Sequence, residues 1–191
     1  MSHILKSVAL EKTFECDKKS SATQSKEWIL QALLILMRKK TFERITIKEI
    51  SEKAGVDRKT FYRNFTSKID VLQLYLDRAC GEYIGDLENE KTLDTFTIAK
   101  IYFEFCLRHI DFLRLLDKSN MLVYLLVAFD KYLPEICKKL NGNEGFDNPD
   151  FDLPFLAGGF WNMSVKWIRA NTPKTPLEMA IIVGNLMAKH I

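Results

Sequence analysis

Turn-forming residues are scarce in this chain, with eight glycines and five prolines among 191 residues. Many-turned β architectures need such residues at their bends, so their scarcity favours long helices. Long hydrophobic runs are missing too. No stretch reaches the roughly 18 consecutive apolar residues of a membrane-spanning helix. The opening "MSHILKSVALEKTFECDKK" has a weak apolar run and no small-residue cleavage site, so no signal peptide is read. A cytoplasmic location and no membrane partner are expected. The four cysteines, Cys16, Cys80, Cys106 and Cys137, lie far apart with no CxxC pair. In a reducing compartment such cysteines serve as buried apolar fillers.

Catalytic motifs are equally scarce. There is no Ser/His/Asp arrangement, no phosphate-cradling Gly-rich loop and no HExxH. Gly142 and Gly145 stand among Asn and Asp in "NGNEGFDNPD", which is turn chemistry. Cys106 and His109 have the i, i+3 spacing of metal ligands on a helix, with Cys137 and His190 as further candidates and His3 and Cys16 as weaker ones. A core thiol and a partnered imidazole are the simpler reading of the pair. No enzyme, no metal and no cofactor are expected, with a helical enzyme or metal-binding protein as the distant alternative.

The chain does have apolar mass and an uneven charge. It is 47% hydrophobic and 12% aromatic, enough for a sizeable core. Its formal net charge is only +3, but between Arg38 and Asp70 ten Lys or Arg face five Asp or Glu. The remainder holds 18 basic and 20 acidic residues. A basic region on an otherwise balanced chain fits a polyanionic partner, or a merely solvated face.

Helical periodicity runs along most of the sequence. Trp28, Leu30, Leu33, Leu34 and Met37 share one broad face of a first helix. "TIKEISEKA" is a second, opened by the capping-box pair Thr46 and Glu49 and closed by Gly55. Asp57 caps a third, and Ser67 with Asp70 opens a fourth carrying Leu72, Leu76, Ala79 and Tyr83 in a stripe. Five more follow, the seventh containing Pro134 as a bend and the last opened by Thr175, Pro176 and Glu178. The fold class is all-α, with about nine helices. Residues 1–22 read as a flexible arm, 23–68 as a helix-turn-helix DNA-binding unit and 69–191 as a helical regulatory and dimerisation unit.

The stretch "GVDRKTFYRNF" carries the functional signal. Helix, Gly-containing turn and short helix make a helix-turn-helix. Phe61 and Phe65, one turn apart, pack inward with Val56, leaving Arg58, Lys59, Tyr62 and Arg63 outside. A short cationic helix face fits the major groove of double-stranded DNA. Arg58, Lys59 and Thr60 are expected to read bases; Tyr62 and Arg63 can touch bases or phosphate, and Asn64, at the end of the recognition segment, is expected at the DNA too. Thr46, at the start of the second helix, and Lys68, at the start of the fourth, are expected on backbone phosphate.

At these residues the sequence resembles the TetR family of transcriptional regulators, whose pattern, a Thr-led second helix "IA..AGVS.GTLYRHF.SK..L", is matched by "TIKEISEKAGVDRKTFYRNFTSKIDVL". The resemblance covers Trp28 to about Leu76. Asp57 replaces the usual Ser, Lys59 a small residue and Asn64 a His, changes expected to alter which bases are read. "AGGFWNMSVKWIRANTPKTPLEMA" is similar to the end of one TetR subfamily, in which the last two helices form the dimer interface. The residues themselves point the same way. Leu153, Leu156, Phe160, Met163 and Trp167 follow one stripe, and Ala157, Trp161, Ser164 and Ile168 a second. A helix apolar on two sides needs its own core and something else, unless one thick monomer core takes both. The expected interface is Gly158, Gly159, Trp161, Ser164, Ile168, Ile182 and Leu186. The resemblance further implies a ligand-responsive repressor, acting as a homodimer on a pseudo-palindromic operator, or an activator or co-regulator of the same fold. It also implies a small-molecule inducer between the fourth and seventh helices, where Phe103, Cys106, His109, Tyr124 and Phe129 would line a pocket or simply form core.

Overall fold

The computed structural model describes residues 21–141 and 148–190. The expected arm, apart from its last two residues, and most of the loop "NGNEGFDNPD" lie outside the described residues, as do the side chains of His3, Cys16, Cys137 and His190. The described residues form nine α-helices and one short 3-10 turn, an all-α fold.

Local chemistry sets most helix ends. α1, Ser21–Lys39, ends on Arg38 and Lys39, cations that suit the negative end of the helix dipole. The 3-10 turn Phe42–Arg44 follows, an element that periodicity alone does not reveal. α2, Ile47–Ala54, has the full capping box. The Glu49 amide donates to Thr46 Oγ1 at 3.2 Å, and the Thr46 amide to Glu49 Oε2 at 2.9 Å. α3, Arg58–Asn64, is capped by Asp57. α4, Lys68–Glu88, starts from a second capping box, between Ser67 and Asp70.

α5, Thr95–Arg108, is capped by Asp94, and α6, Ile110–Lys118, follows with His109 alone between them. α7, Val123–Asn141, carries Pro134 within its length. α8, Pro149–Arg169, starts earlier than the stripes starting at Leu153 imply, with Asn148 as its cap and Pro149 in the first turn. α9, Pro176–His190, has its capping pair in place, the Glu178 amide donating to Thr175 Oγ1 at 3.2 Å.

One hydrophobic core joins these helices, from Ile29 in α1 to Val183 in α9. α5 lies near its middle and packs extensively along α9. An aromatic chain runs through it. Tyr102 stands 5.1 Å from Phe129 of α7 and 4.9 Å from Phe160 of α8, and Phe103 stands 5.4 Å from Trp167, centroid to centroid. Such ring pairs add to plain area burial.

Both apolar stripes of α8 turn at least partly into this interior. Ser164 and Ile168 are buried in the chain's own core, so their expected place at a dimer interface is corrected. The reason is that α5 lies against this side of α8, where Tyr102 reaches Ser164 at 2.7 Å and Phe103 meets Trp167. Trp161 is half-buried, its Nε1 donating to the Leu122 carbonyl at 3.3 Å. The outward face of α8 is a third one, holding Phe151, Phe155 and Gly159.

Candidate nucleic-acid interface

The interface is built from α2, the turn at Gly55 and α3. Gly55 takes φ 67°, a left-handed conformation that a side chain would strain. Its amide donates to the Glu52 carbonyl at 3.2 Å and that of Val56 to Ser51 at 3.0 Å, so the chain reverses within two residues. Asp57 Oδ1 then accepts from the Thr60 amide at 2.5 Å. That bond holds the Asp57 carboxyl below the usual carboxylate range.

The phenylalanines orient α3. Phe61 is fully buried and Phe65 nearly so, with ring centroids 6.0 Å apart. Their anchoring turns Arg58, Lys59, Tyr62 and Arg63 to solvent. Tyr62 is 56% exposed, although it sits edge-on to Phe61 at 5.6 Å. Thr60 is half-buried. Asn64 folds back and donates from Nδ2 to the Thr60 carbonyl at 2.8 Å, bracing α3 rather than reaching outward. The exposed side is thus a cationic, partly aromatic surface one short helix long, which supplies fork-shaped donors for base edges and phosphates.

Thr46 is exposed, but its hydroxyl and amide both engage Glu49. Glu49 also pairs with Lys40, and this bond, ahead of those from Thr46, pulls its carboxyl down to about 2. An ionised carboxylate therefore already occupies the cap of α2.

Lys68 requires a correction. Its ammonium does not project toward solvent. It donates to the carbonyls of Phe42, Glu43 and Ile45 at 2.6, 3.2 and 2.7 Å, and lies 4.5 Å above the Phe42 ring. Three acceptors use all three ammonium protons. Burial lowers its proton affinity, as expected for a charge drawn into the fold. Lys68 therefore ties the turn after α1 to the start of α4. No local pattern marks these partners, which lie 23 to 26 residues away.

The residues considered for an inducer pocket are packed. Phe103 and Cys106 are fully buried, and Phe129 meets Tyr83, Tyr102 and Phe105. Burial pushes the Cys106 thiol up to about 12, so it stays protonated. Tyr124 is half-buried on α7. His109 Nδ1 lies 3.0 Å from the Tyr75 hydroxyl. Its Nε2 stands 3.2 Å from Glu82 Oε2, at angles that fall short of a hydrogen bond. Burial lowers the imidazole's proton affinity, and Glu82 opposes it. No group of three or more His, Cys, Asp or Glu suited to a metal occurs among the described residues. No described helix is long and apolar enough to cross a membrane.

Known proteins share this arrangement. Residues 29–74 match the bacterial regulatory proteins, tetR family, a span holding most of α1, all of α2 and α3, and the start of α4. The chain is 30% identical over 89 residues to YxbF of Bacillus subtilis (strain 168), an uncharacterized HTH-type transcriptional regulator. That match covers 46% of this chain and 23% of the relative, so the chain spans about a quarter of that protein's length. The fold is similar to Lin0861 of Listeria innocua, with a TM-score of 0.75 at 16% identity over 94% of this chain and 96% of that one. It is also similar to the dihydroxyacetone kinase operon activator DhaS, at TM-score 0.57 and 17% identity over 87% and 96% of the two chains. The fatty acid degradation regulator FadR of Bacillus halodurans gives TM-score 0.57 and 17% identity over 92% and 98%. Residues 29–74 thus carry the helix-turn-helix segment of bacterial regulatory proteins of the tetR family, and a curated HTH-type regulator is among the proteins the chain resembles.

Proposed function

We propose that the chain is a cytoplasmic, homodimeric repressor that binds a pseudo-palindromic operator and releases it in response to a small molecule. The observation that carries this reading is the exposed face of α3, with Arg58, Lys59, Tyr62 and Arg63 outward over the buried Phe61 and Phe65. Residues 23–68 bind DNA in this reading, and 69–191 regulate and dimerise. Arg58 and Lys59 read base edges with Thr60 beside them, while Arg63 and Tyr62 contact bases or phosphate. The Thr46 end of α2 faces the backbone.

Dimerisation is supported by apolar side chains left outside on the last two helices. Phe155, Leu177, Ile181 and Leu186 are exposed, and Gly158 and Gly159 allow close approach beside them. Ile182 is half-buried and adds to this surface from its edge. Two subunits would place their α3 helices in successive major grooves, about 34–36 Å apart. An effector acting through α4 needs a coupling of about 1–3 kcal/mol to change operator affinity roughly 5- to 150-fold. The sign of regulation is open to a second reading, since a protein of similar fold is named as an operon activator.

Selection of bound fragments from genomic DNA at a fixed salt concentration tests the proposal. Enrichment of a two-fold symmetric sequence, lost in Arg58→Ala, is the expected result. A purified chain that prefers no duplex over random sequence would end it. A promoter fusion with and without the chain then gives the sign, and operator affinity in the presence of candidate compounds identifies the effector.

A further inference from the structure

The 3-10 turn Phe42–Arg44 is held from two directions. Lys68 grips its carbonyls from the start of α4, as described above. On the other side, the Phe42 amide donates to Ser119 Oγ at 3.1 Å. Ser119 is the C-cap of α6, 77 residues away, and both residues are buried. A buried backbone N–H without an acceptor is costly, so this bond is a fixed point rather than a surface contact.

The end of α6 is itself well fixed. The Ser119 amide returns to the Leu116 carbonyl at 3.1 Å and the Met121 amide to the same carbonyl at 2.8 Å, with Asn120 at φ 54° between them. The neighbouring Lys118 donates to the Arg38 carbonyl at 3.1 Å. The end of α6 therefore holds the last turn of α1 at Arg38 and the connection after it at Phe42. Thr46, the cap of α2, follows Phe42 by four residues. A shift of α6 has either to break the Phe42–Ser119 bond or to carry the turn, and α2 behind it.

We propose that Ser119 is a positioning residue for DNA binding: through the Phe42 amide it lets the end of α6 set the place of α2, by a route separate from α4. This rests on the proposed function. Ser119 touches no DNA; it acts through the turn. Its contribution is a geometry of α2 and α3 fixed before contact, and loss of the bond lets that geometry wander.

The test uses the full chain and a duplex that the unaltered chain selects from genomic DNA. Ser119→Ala is compared with Ser119→Thr, which keeps the acceptor oxygen, at a temperature where thermal unfolding shows each protein folded. Amide hydrogen exchange is read at Phe42, and duplex affinity is read across a salt series. Ser119→Ala is expected to speed exchange at Phe42 and to weaken binding roughly three- to tenfold, the range of one lost hydrogen bond, with an unchanged salt slope. Ser119→Thr is expected to restore both. If Ser119→Ala does not fold, Ser119→Cys, with a weaker acceptor of similar size, is read in the same way. Faster exchange with unaltered affinity overturns the inference, since a merely structural Ser119 lowers the melting temperature alone. Unaltered exchange overturns it as well. An unaltered chain that prefers no duplex overturns the proposed function, and this inference with it, while the exchange data, which need no DNA, still report on the bond itself.

Discussion

The hydroxyl of Tyr102 on α5 lies 2.7 Å from Ser164 Oγ on α8, and both residues are buried. Ser164 spends its own proton on the Phe160 carbonyl at 2.8 Å, so Tyr102 is the donor between them. Ser164→Ala removes the acceptor and leaves the phenol to the weak acceptor Cys106; a loss of about 1–3 kcal/mol in unfolding free energy is expected. Tyr102→Phe alone should cost less, and the double variant less than the two singles together, because no orphaned group remains. Denaturant titrations of the four proteins measure the coupling. Additive losses would mean that the pair is not bonded.

Lys68→Met keeps the stem over the Phe42 ring but removes the donor that the Phe42, Glu43 and Ile45 carbonyls share, leaving Phe42 with the Ile45 amide alone. Melting and urea titrations should show a loss of about 1–3 kcal/mol. The salt slope of duplex binding should not change. A slope smaller by about one with stability intact would instead place the ammonium on phosphate.

Arg58 is exposed and bonds to nothing that holds the fold, so Arg58→Ala should leave the melting temperature unchanged. At the selected duplex it should cost roughly 1–3 kcal/mol, with relaxed preference at one base pair per half-site. Competition against single-base variants of the duplex reads this directly. Equal losses on every sequence would assign Arg58 to the backbone.

Glu49 gives the fold an acid-sensitive point. Its carboxyl sits at about 2, against an ordinary 4.5, chiefly through the bond from Lys40. A depressed carboxyl contributes stability that is present above 4.5 and lost as pH falls toward 2. Glu49→Gln should therefore flatten the fall in stability across that window while leaving the Thr46 cap hydrogen-bonded. Parallel acid titrations of the two proteins, followed by circular dichroism, test it.

Ile181 is 47% exposed on α9. Ile181→Glu should leave the helical fold intact and abolish dimers in sedimentation equilibrium, with a sharp loss of operator affinity as a consequence. A charge at Ile168 should act on folding instead, since that side chain lies inside the chain's own core. Dimers that survive Ile181→Glu would move the interface elsewhere.

These outcomes trace which features a sequence can reveal. Thr46, Glu49 and Asp57 act on amides within a few residues, and Gly55 turns its own backbone, so their roles follow from order along the chain. The inward pair Phe61 and Phe65 follows from one helical turn. Lys68 and Ser119 act on carbonyls and amides 23 to 77 residues distant, and nothing near them marks the target. The two stripes of α8 posed a different difficulty. An apolar face looks the same whether it meets its own subunit or another, so the stripe alone does not tell that Ser164 and Ile168 are buried in the chain's own core. The outward Phe151 and Phe155 were legible in principle, because Asn148 followed by Pro149 is a helix-start signal.

Among the described residues, the unbroken apolar interior between Ile29 and Val183 leaves no seam at which the helix-turn-helix detaches. A fragment ending at residue 68 would strip the underside of α1 and expose oily surface to water, so excision should yield an aggregating piece rather than a miniature binder. Intact, the whole chain should melt in a single calorimetric peak, and any compound that stiffens the far helices should raise the heat resistance of the helix-turn-helix end as well.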